Sequence, residues 1–190
     1  MTTQNSKTHS HWNLLKSEKF LPLFITQFLS AMNNNIYKNA LIIMLTFGLI
    51  KNSENINLTL MINVAAGLFI LPFLIFSAFA GNFADNNEKS SLIQKIKLIE
   101  TITVLISIIG IYFGNIYLML FFFFFLGTQA AFFGPLKYSI LLQHLHQNEL
   151  TGGNGLIESG TFIAILIGTI LGGVLITLNN GVHYVSILLF

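Results

Sequence analysis

Cysteine and arginine are absent from this 190-residue sequence, and charged residues make up only 8% of it. Without cysteine, the sequence has no disulfide framework and no thiolate metal site. Nine lysines against seven acidic residues give a net charge of +2, which is too weak a basic field for a nucleic-acid-binding protein. A soluble domain carries about a quarter charged residues, so the scarcity of charge argues against a soluble fold.

Long apolar runs dominate the sequence, with 54% hydrophobic residues, 19 phenylalanines and a mean hydropathy of +0.74. Runs of about 20 apolar residues predict membrane-spanning helices. We place them near residues 20–50, 58–80, 92–113, 116–133 and 154–178, with an incomplete sixth at 182–190. Residues 1–19 are polar and predict a cytoplasmic tail. Because nine residues of helix cover only about 13 Å, we expect the sixth helix to be truncated and the polypeptide to continue past Phe190.

The distribution of lysines predicts the orientation of these helices. By the positive-inside rule, the side of the membrane with more lysine is cytoplasmic. One side holds the lysines before helix 1, after helix 2 and after helix 4, namely Lys7, Lys16, Lys19, Lys89, Lys95, Lys97 and Lys137. The opposite loops hold only Lys51. We therefore expect a cytoplasmic N-terminus, with the loops that contain Asn55, Asn115 and Asn180 outside.

Helix 1 carries polar residues at membrane depth. Its segment QFLSAMNNNIYKNALIIM places Gln27, Asn34, Asn35 and Lys38 inside an apolar run. Polar groups at that depth are kept where they face a partner or a water-filled cavity. These four residues are therefore candidates for a substrate path, and we expect Gln27 and Asn34 to lie on roughly the same helix face.

Two acidic residues, Glu158 and Glu100, also lie within the predicted apolar runs. Glu158, about one turn into helix 5, needs a cation or a wet cavity, and Lys137 in FFGPLKYSIL is the nearest candidate in sequence. Lys137 and Glu158 are therefore also candidates for the substrate path, although an interfacial Glu158 and a snorkelling Lys137 without a functional role would explain the same pattern. Glu100 follows Lys97 by three residues, and the favoured interpretation is an ion pair on the helix surface near the cytoplasmic interface.

Helix 5 also carries small residues every four positions, namely Gly160, Ala164, Gly168 and Gly172. This spacing forms a smooth ridge that permits close helix packing, so the ridge predicts a helical bundle.

The connection AGNFADNNEKS, with Gly81, Asp85 and Lys89 at spacings of four, resembles the loop G-x-x-x-D-x-x-x-K/R of the major facilitator superfamily. That resemblance implies the N-terminal six-helix half of a major facilitator fold, in which this loop gates the cytoplasmic side against the other half. Asn86 stands where that loop usually has its first basic residue. The same fold puts substrate between the two halves, lined in part by helices 1, 4 and 5.

Four segments in order resemble the bacterial lysophospholipid transporter family: TQFLSAMNNNIYKNALIIM, AGNFADNNEKSSLIQKIKLIE, AAFFGPLKYSILLQHL and NGLIESGTFIAILIGTILGGVL. The resemblance implies an inner-membrane carrier of lysophosphatidylethanolamine or a related lysolipid. Its partners would be an acyltransferase and an acyl-carrier-protein synthetase, separate or fused. Asn34 replaces the usual acid of that family, which leaves the coupling ion open; no other cofactor is expected. Lys38 is then a candidate for attracting the lipid phosphate.

Other interpretations of the sequence remain open. His144 and Glu149 imitate the H-x-x-x-x-D signature of glycerolipid acyltransferases, although the last residue is not aspartate. The segment would also suit a drug or metabolite exporter of the same superfamily, or a half-size remnant that does not transport. It would equally suit the transport module of a longer polypeptide with an acyltransferase downstream; we expect no enzymatic activity in this segment itself.

Overall fold

The fold is entirely helical in the computed structural model, which describes residues 11–49 and 57–189. Within those ranges there are no strands, and a short 3-10 turn, His11–Lys16, precedes six α-helices. These are α1 Phe20–Thr46, α2 Leu58–Asn86, α3 Lys89–Phe113, α4 Ile116–His144, α5 Leu150–Ile176 and α6 Gly181–Leu189. The predicted all-α class is confirmed. The predictions for Lys7, Lys51, Asn55, Ile50 and Phe190 lie outside the described residues.

Four helices, α2 to α5, are long and apolar enough to cross a membrane. Their 18-residue windows have mean hydropathies between 1.9 and 2.3. Helix α1 is not among them, although its 27 residues span about 40 Å, because asparagines and a lysine lower its hydropathy. Several spans in one chain make this a multi-pass membrane protein.

Close helix pairs build the bundle. Helix α1 packs along α5, α2 packs along α4, and α4 also contacts α3. Helix α6 lies against α1, α3 and α5. A Cβ on Gly127 of α4 would lie 2.7 Å from the carbonyl oxygen of Phe69, so only glycine permits this approach of α2. The main apolar core is built mostly from α1 and α4, with residues of the other four helices packed around them. Within it, the Tyr37 hydroxyl donates to the Met119 carbonyl at 2.9 Å.

Two helices extend well past their predicted C-terminal ends. Helix α2 continues to Asn86, so Gly81 and Asp85 lie in its last two turns and not in a loop. Helix α4 continues past residue 133 to His144, with Pro135 inside it. A proline removes one backbone hydrogen bond, which a membrane helix tolerates when neighbouring groups compensate. As a result, Lys137 lies within α4 and does not follow it.

Lys97 likewise lies well inside α3, which begins at Lys89. Of the lysines counted for orientation after helices 2 and 4, only Lys89 is therefore at a helix end. The connections on that side are short: residues 87–88 link α2 to α3, and residues 145–149 link α4 to α5.

Candidate polar cavity

A cavity of about 300 Å³ lies among α1, α2, α3, α4 and α5, near the middle of the bundle. Its polar wall comes mainly from α1 and α3, and its apolar wall from α2 and α4. The polar lining residues are Gln27, Ser30, Asn34, Asn35, Lys97, Glu100, Lys137 and Thr161. Phe69, Phe73 and Phe133 are among the apolar lining residues. Of the polar candidates on α1, Gln27, Asn34 and Asn35 thus face a cavity.

A charge network joins α3 to α1 at this cavity, with Glu100 buried and the Lys97 side chain 18% exposed. The Lys97 ammonium donates to Glu100 Oε2 and to Ser30 Oγ, each at 2.7 Å. Ser30 in turn donates to the other oxygen of Glu100, and Asn34 Nδ2 donates to that oxygen at 3.5 Å. The Lys97 ammonium also lies 3.8 Å from the centre of the Phe133 ring, a cation–π contact. Each charge is therefore held by three neighbours.

The predicted ion pair of Lys97 and Glu100 exists, but its placement on the helix surface was wrong. Glu100 is only 8% exposed and points toward α1. It is the twelfth residue of α3 and so lies about 16 Å from the start of that helix, close to the middle of the span. Depth within the apolar run was the signal that sequence reasoning missed, since an acid at that depth is a functional candidate by default.

A second ion pair lies at the α4–α5 contact. Lys137 Nζ and Glu158 Oε1 are 2.7 Å apart, and the Tyr138 hydroxyl donates to the same oxygen at 2.9 Å. The Lys137 side chain is 9% exposed and that of Glu158 39%. Lys137 lines the cavity, whereas Glu158 lies outside its lining. The sequence had left open whether these two residues touch, and the structure brings them together.

The other candidates of α1 divide into two groups. Gln27 Nε2 donates to Thr161 on α5 at 3.0 Å, and Asn35 Nδ2 donates to the Ala31 carbonyl at 2.8 Å. Both residues line the cavity. Lys38 is half-buried but outside the cavity lining, and it makes no ion pair or hydrogen bond with the residues that the structure describes.

Several amide oxygens of the bundle are buried without a partner among the described residues: Asn33 Oδ1, Asn34 Oδ1, Gln129 Oε1 and Asn154 Oδ1. Buried polar atoms are normally hydrogen-bonded, so each is a position for a water molecule or a ligand donor. Only Asn34 among them lines the central cavity. Gln129, which sequence reasoning did not single out, donates from Nε2 to Thr103 at 2.8 Å and so ties α4 to α3.

The small-residue ridge of α5 faces α1. Ala164 is fully buried, and Gly160, Gly168 and Gly172 are buried beside it. A Cβ on Gly168 would lie 3.0 Å from Asn35 Cβ and even closer to the Met32 carbonyl oxygen. The ridge therefore sets the distance between α5 and the polar helix of the cavity.

The residues of the predicted gating loop contact little within this chain. A Cβ on Gly81 would meet no described atom within 4 Å, and Asp85 is exposed. The start of α3 is capped by Glu88, whose carboxylate accepts from the backbone of Ser90 and Ser91 at 3.0 and 2.6 Å. No described residue therefore packs closely against Gly81.

The acyltransferase-like segment and the acidic and histidine residues can also be compared with the geometry. In the HLHQNE segment, His144 ends α4, and the Glu149 carboxylate accepts from the backbone N–H of His146 at 3.1 Å, which is a turn-stabilising contact. Among the residues described, no three histidine, aspartate or glutamate side chains are grouped to hold a metal ion.

Comparison with known proteins identifies the chain's relatives. The family model described as Major Facilitator Superfamily matches residues 23–190. Proteins named lysophospholipid transporter LplT are similar: that of Klebsiella pneumoniae is 30% identical over 85% of this chain and 37% of its own length. That of Yersinia enterocolitica is 28% identical over 88% of this chain and 38% of its own. The chain thus spans less than two fifths of these relatives. No solved structure matches it significantly.

Proposed function

Because the chain belongs to the major facilitator superfamily, we propose that it forms the N-terminal half of a carrier that brings a lysophospholipid to the cytoplasmic leaflet for re-acylation. The substrate resembles lysophosphatidylethanolamine, and the membrane is the bacterial inner membrane. The similar proteins named lysophospholipid transporter support this substrate class. The remaining half of the carrier and the re-acylating enzymes, an acyltransferase and an acyl-carrier-protein synthetase, are the proposed partners.

The combination of charged and apolar residues in the cavity lining is the observation that carries this proposal. Lys97 and Glu100 of α3 supply charges, phenylalanines of α2 supply an apolar surface, and α4 contributes both Phe133 and Lys137. A lysophospholipid combines the same two properties, because its headgroup is charged and its single acyl chain is apolar. Charges held inside a membrane bundle are costly and are retained along substrate and ion pathways.

Most of the candidate residues have a proposed role in that path. Lys137 and Asn34 contact the headgroup in the cavity, and Gln27 positions Asn34's helix against α5. Lys38, one turn beyond Asn34, attracts the phosphate as the lipid approaches. Gly81, Asp85 and Lys89 contact the second half when the cytoplasmic side closes, which agrees with the open space beside Gly81.

We expect Asn34→Ala, Lys38→Ala and Lys137→Ala each to lower uptake of labelled lysophosphatidylethanolamine by about tenfold, the effect of losing one hydrogen bond to a charged group. Uptake is measured in cells that express the full polypeptide and normalised to the protein in the membrane. Lys95→Ala, an exposed lysine of α3, is the control and leaves uptake unchanged. Unchanged uptake in all three variants would remove these residues from the mechanism.

The proposed orientation has a cytoplasmic N-terminus, supported by lysines at the start of α1 and α3. The orientation can be tested by labelling single cysteines. These 190 residues contain no cysteine, so only the rest of the full polypeptide needs any cysteines replaced. We expect a membrane-impermeant maleimide to label Asn179→Cys, between α5 and α6, in intact spheroplasts. Gln147→Cys, between α4 and α5, reacts only after permeabilisation. The reverse pattern would contradict the orientation. Both positions are exposed, so neither substitution disturbs the core.

A further inference from the structure

The short 3-10 turn before α1, His11–Lys16, is part of the folded bundle. Its Leu14 side chain is only 8% exposed and belongs to the apolar cluster where α4 ends and α5 begins, together with Phe20 and Leu145. A Cβ on Gly153 of α5 would lie 3.8 Å from Leu14 Cδ1, so the turn also meets the beginning of α5. One buried leucine thus places the turn against both α1 and α5.

Backbone hydrogen bonds join this turn to α1 without a gap. The Ser17 N–H donates to the Leu14 carbonyl, and the Leu21 N–H donates to the Ser17 carbonyl, each at 2.9 Å. Because the backbone is held on both sides of Ser17, the turn keeps a fixed position relative to α1. Residues 12–19 are therefore a rigid extension of the helix and not a loose linker.

The length of α5 gives the depth of the turn in the membrane. The 27 residues of α5 span about 40 Å, close to the thickness of a bilayer with its headgroup regions. Gly153 lies in the first turn of α5, so an upright α5 places Leu14 at headgroup level. The exposed residues of α1 change from polar to apolar just beyond this level, from Lys19 to Leu21.

The exposed side chains of this segment suit that level. Trp12 is 69% exposed, although Leu14 two residues later is buried. Lys16 and Lys19 are also exposed and form no ion pair with the residues described, and Glu18 is the acid between them. Tryptophan is enriched at membrane interfaces, because its ring is apolar and its N–H needs a polar partner. Lysines near the membrane surface attract anionic lipids.

We propose that residues 12–19 form an interfacial anchor that binds anionic phospholipid headgroups in the leaflet at this end of the bundle. The Trp12 ring lies between the headgroups and the upper acyl chains, and Lys16 and Lys19 contact lipid phosphates. Because Leu14 packs on α1 and α5, the anchor holds the ends of both helices at that leaflet. The inference goes beyond the proposed transport and does not depend on which substrate is carried.

The fluorescence of Trp12 tests the position of the anchor. It is the only tryptophan in these 190 residues, so any others in the full polypeptide are replaced by phenylalanine. The protein is reconstituted in vesicles that contain phospholipids brominated near the headgroup end of the acyl chains. We expect strong quenching by these lipids and weak quenching by acrylamide in the water. Quenching by acrylamide alone would show a water-exposed segment, and quenching by neither would show that protein covers Trp12. Both results would overturn the inference.

The choice of lipid is tested by titrating brominated phosphatidylglycerol and brominated phosphatidylethanolamine separately. We expect the anionic lipid to quench Trp12 at an about fivefold lower fraction, the effect of one lysine near an anionic surface. Lys16→Gln/Lys19→Gln should lose this preference but keep the quenching, since Leu14 still holds the turn. Equal quenching of the wild type by the two lipids would overturn the assignment of an anionic partner.

Trp12→Phe/Tyr184→Trp is the matched control for the lipid preference. It moves the fluorophore to a half-exposed aromatic position in the first turn of α6, at the opposite end of the bundle. We expect both brominated lipids to quench this variant equally. The same preference at both positions would show a general enrichment of anionic lipid around the protein, and it would overturn a specific role for Lys16 and Lys19.

Discussion

Replacing Gly172 with valine is expected to prevent the normal packing of α1 against α5. A Cβ at this position would lie 2.8 Å from Ile36 Cα and closer still to the Ile36 carbonyl oxygen. Backbone cannot move aside as the end of a flexible side chain can, so the helices must separate. We expect a loss of about 3 kcal/mol or more in stability, at the upper end for overpacked cores. Thermal unfolding of the detergent-solubilised protein measures it.

The neighbouring residue provides the control for this prediction. A Cβ on Gly173 would meet no described atom within 4 Å, so Gly173→Val changes the same helix by the same side chain without a clash. Equal destabilisation by the two substitutions would show that helix propensity, and not the α1–α5 contact, causes the loss. The packing of the ridge would then need another explanation.

Replacing Lys97 with methionine should be the most damaging change in the cavity. It leaves the Glu100 carboxylate buried at 8% exposure without its cation, which typically costs about 3–5 kcal/mol. The double variant Lys97→Met/Glu100→Gln has no charge left to bury, so we expect it to recover most of the lost stability. Unfolding of both single variants and of the double variant gives the coupling between the two residues.

Additive effects would contradict a tightly coupled pair. Lys95→Met is the reference for removing an exposed lysine from α3 and is expected to change stability by less than about 0.5 kcal/mol. The double variant should nevertheless fail to transport, because the cavity of the proposed lipid path has lost two of its three charged lining residues. Stability and uptake therefore move apart in the double variant, which a purely structural ion pair would not produce.

The membrane-spanning helices were predictable from the sequence because hydropathy is a property of consecutive residues. A run of apolar residues predicts a helix of known length, and helices α2 to α5 all begin near such runs. Helix ends were less predictable. Gly134 and Pro135 are typical of a helix end, yet α4 continues through them. Packing against neighbouring helices stabilises a helix that contains proline, and the local sequence does not show which helices will be neighbours.

The cavity was only half predictable. Gln27, Asn34 and Asn35 were identified because asparagine and glutamine are conspicuous within an apolar helix. Glu100 was misplaced because the direction of a side chain depends on which neighbour its helix meets, and the i,i+3 pair with Lys97 suits a surface equally well.

The position of Glu100 in the cavity changes the interpretation of the asparagine at position 34. The sequence suggested a site that lacks a carboxylate, since the family resemblance implied an acid on helix 1 where this chain has Asn34. The structure places a carboxylate beside that amide all the same, because Glu100 of α3 lies 3.5 Å from Asn34 Nδ2. The site therefore keeps an acid next to helix 1, but the acid comes with its own lysine.

The direction of lipid movement tests the central claim most directly. Right-side-out membrane vesicles containing the full polypeptide are given labelled lysophosphatidylethanolamine in the outer leaflet, and the fraction protected from extraction by albumin is followed with time. The account predicts protein-dependent transfer to the inner leaflet. No transfer beyond that of vesicles without the protein, or net movement from the inner to the outer leaflet as an exporter would produce, would contradict it.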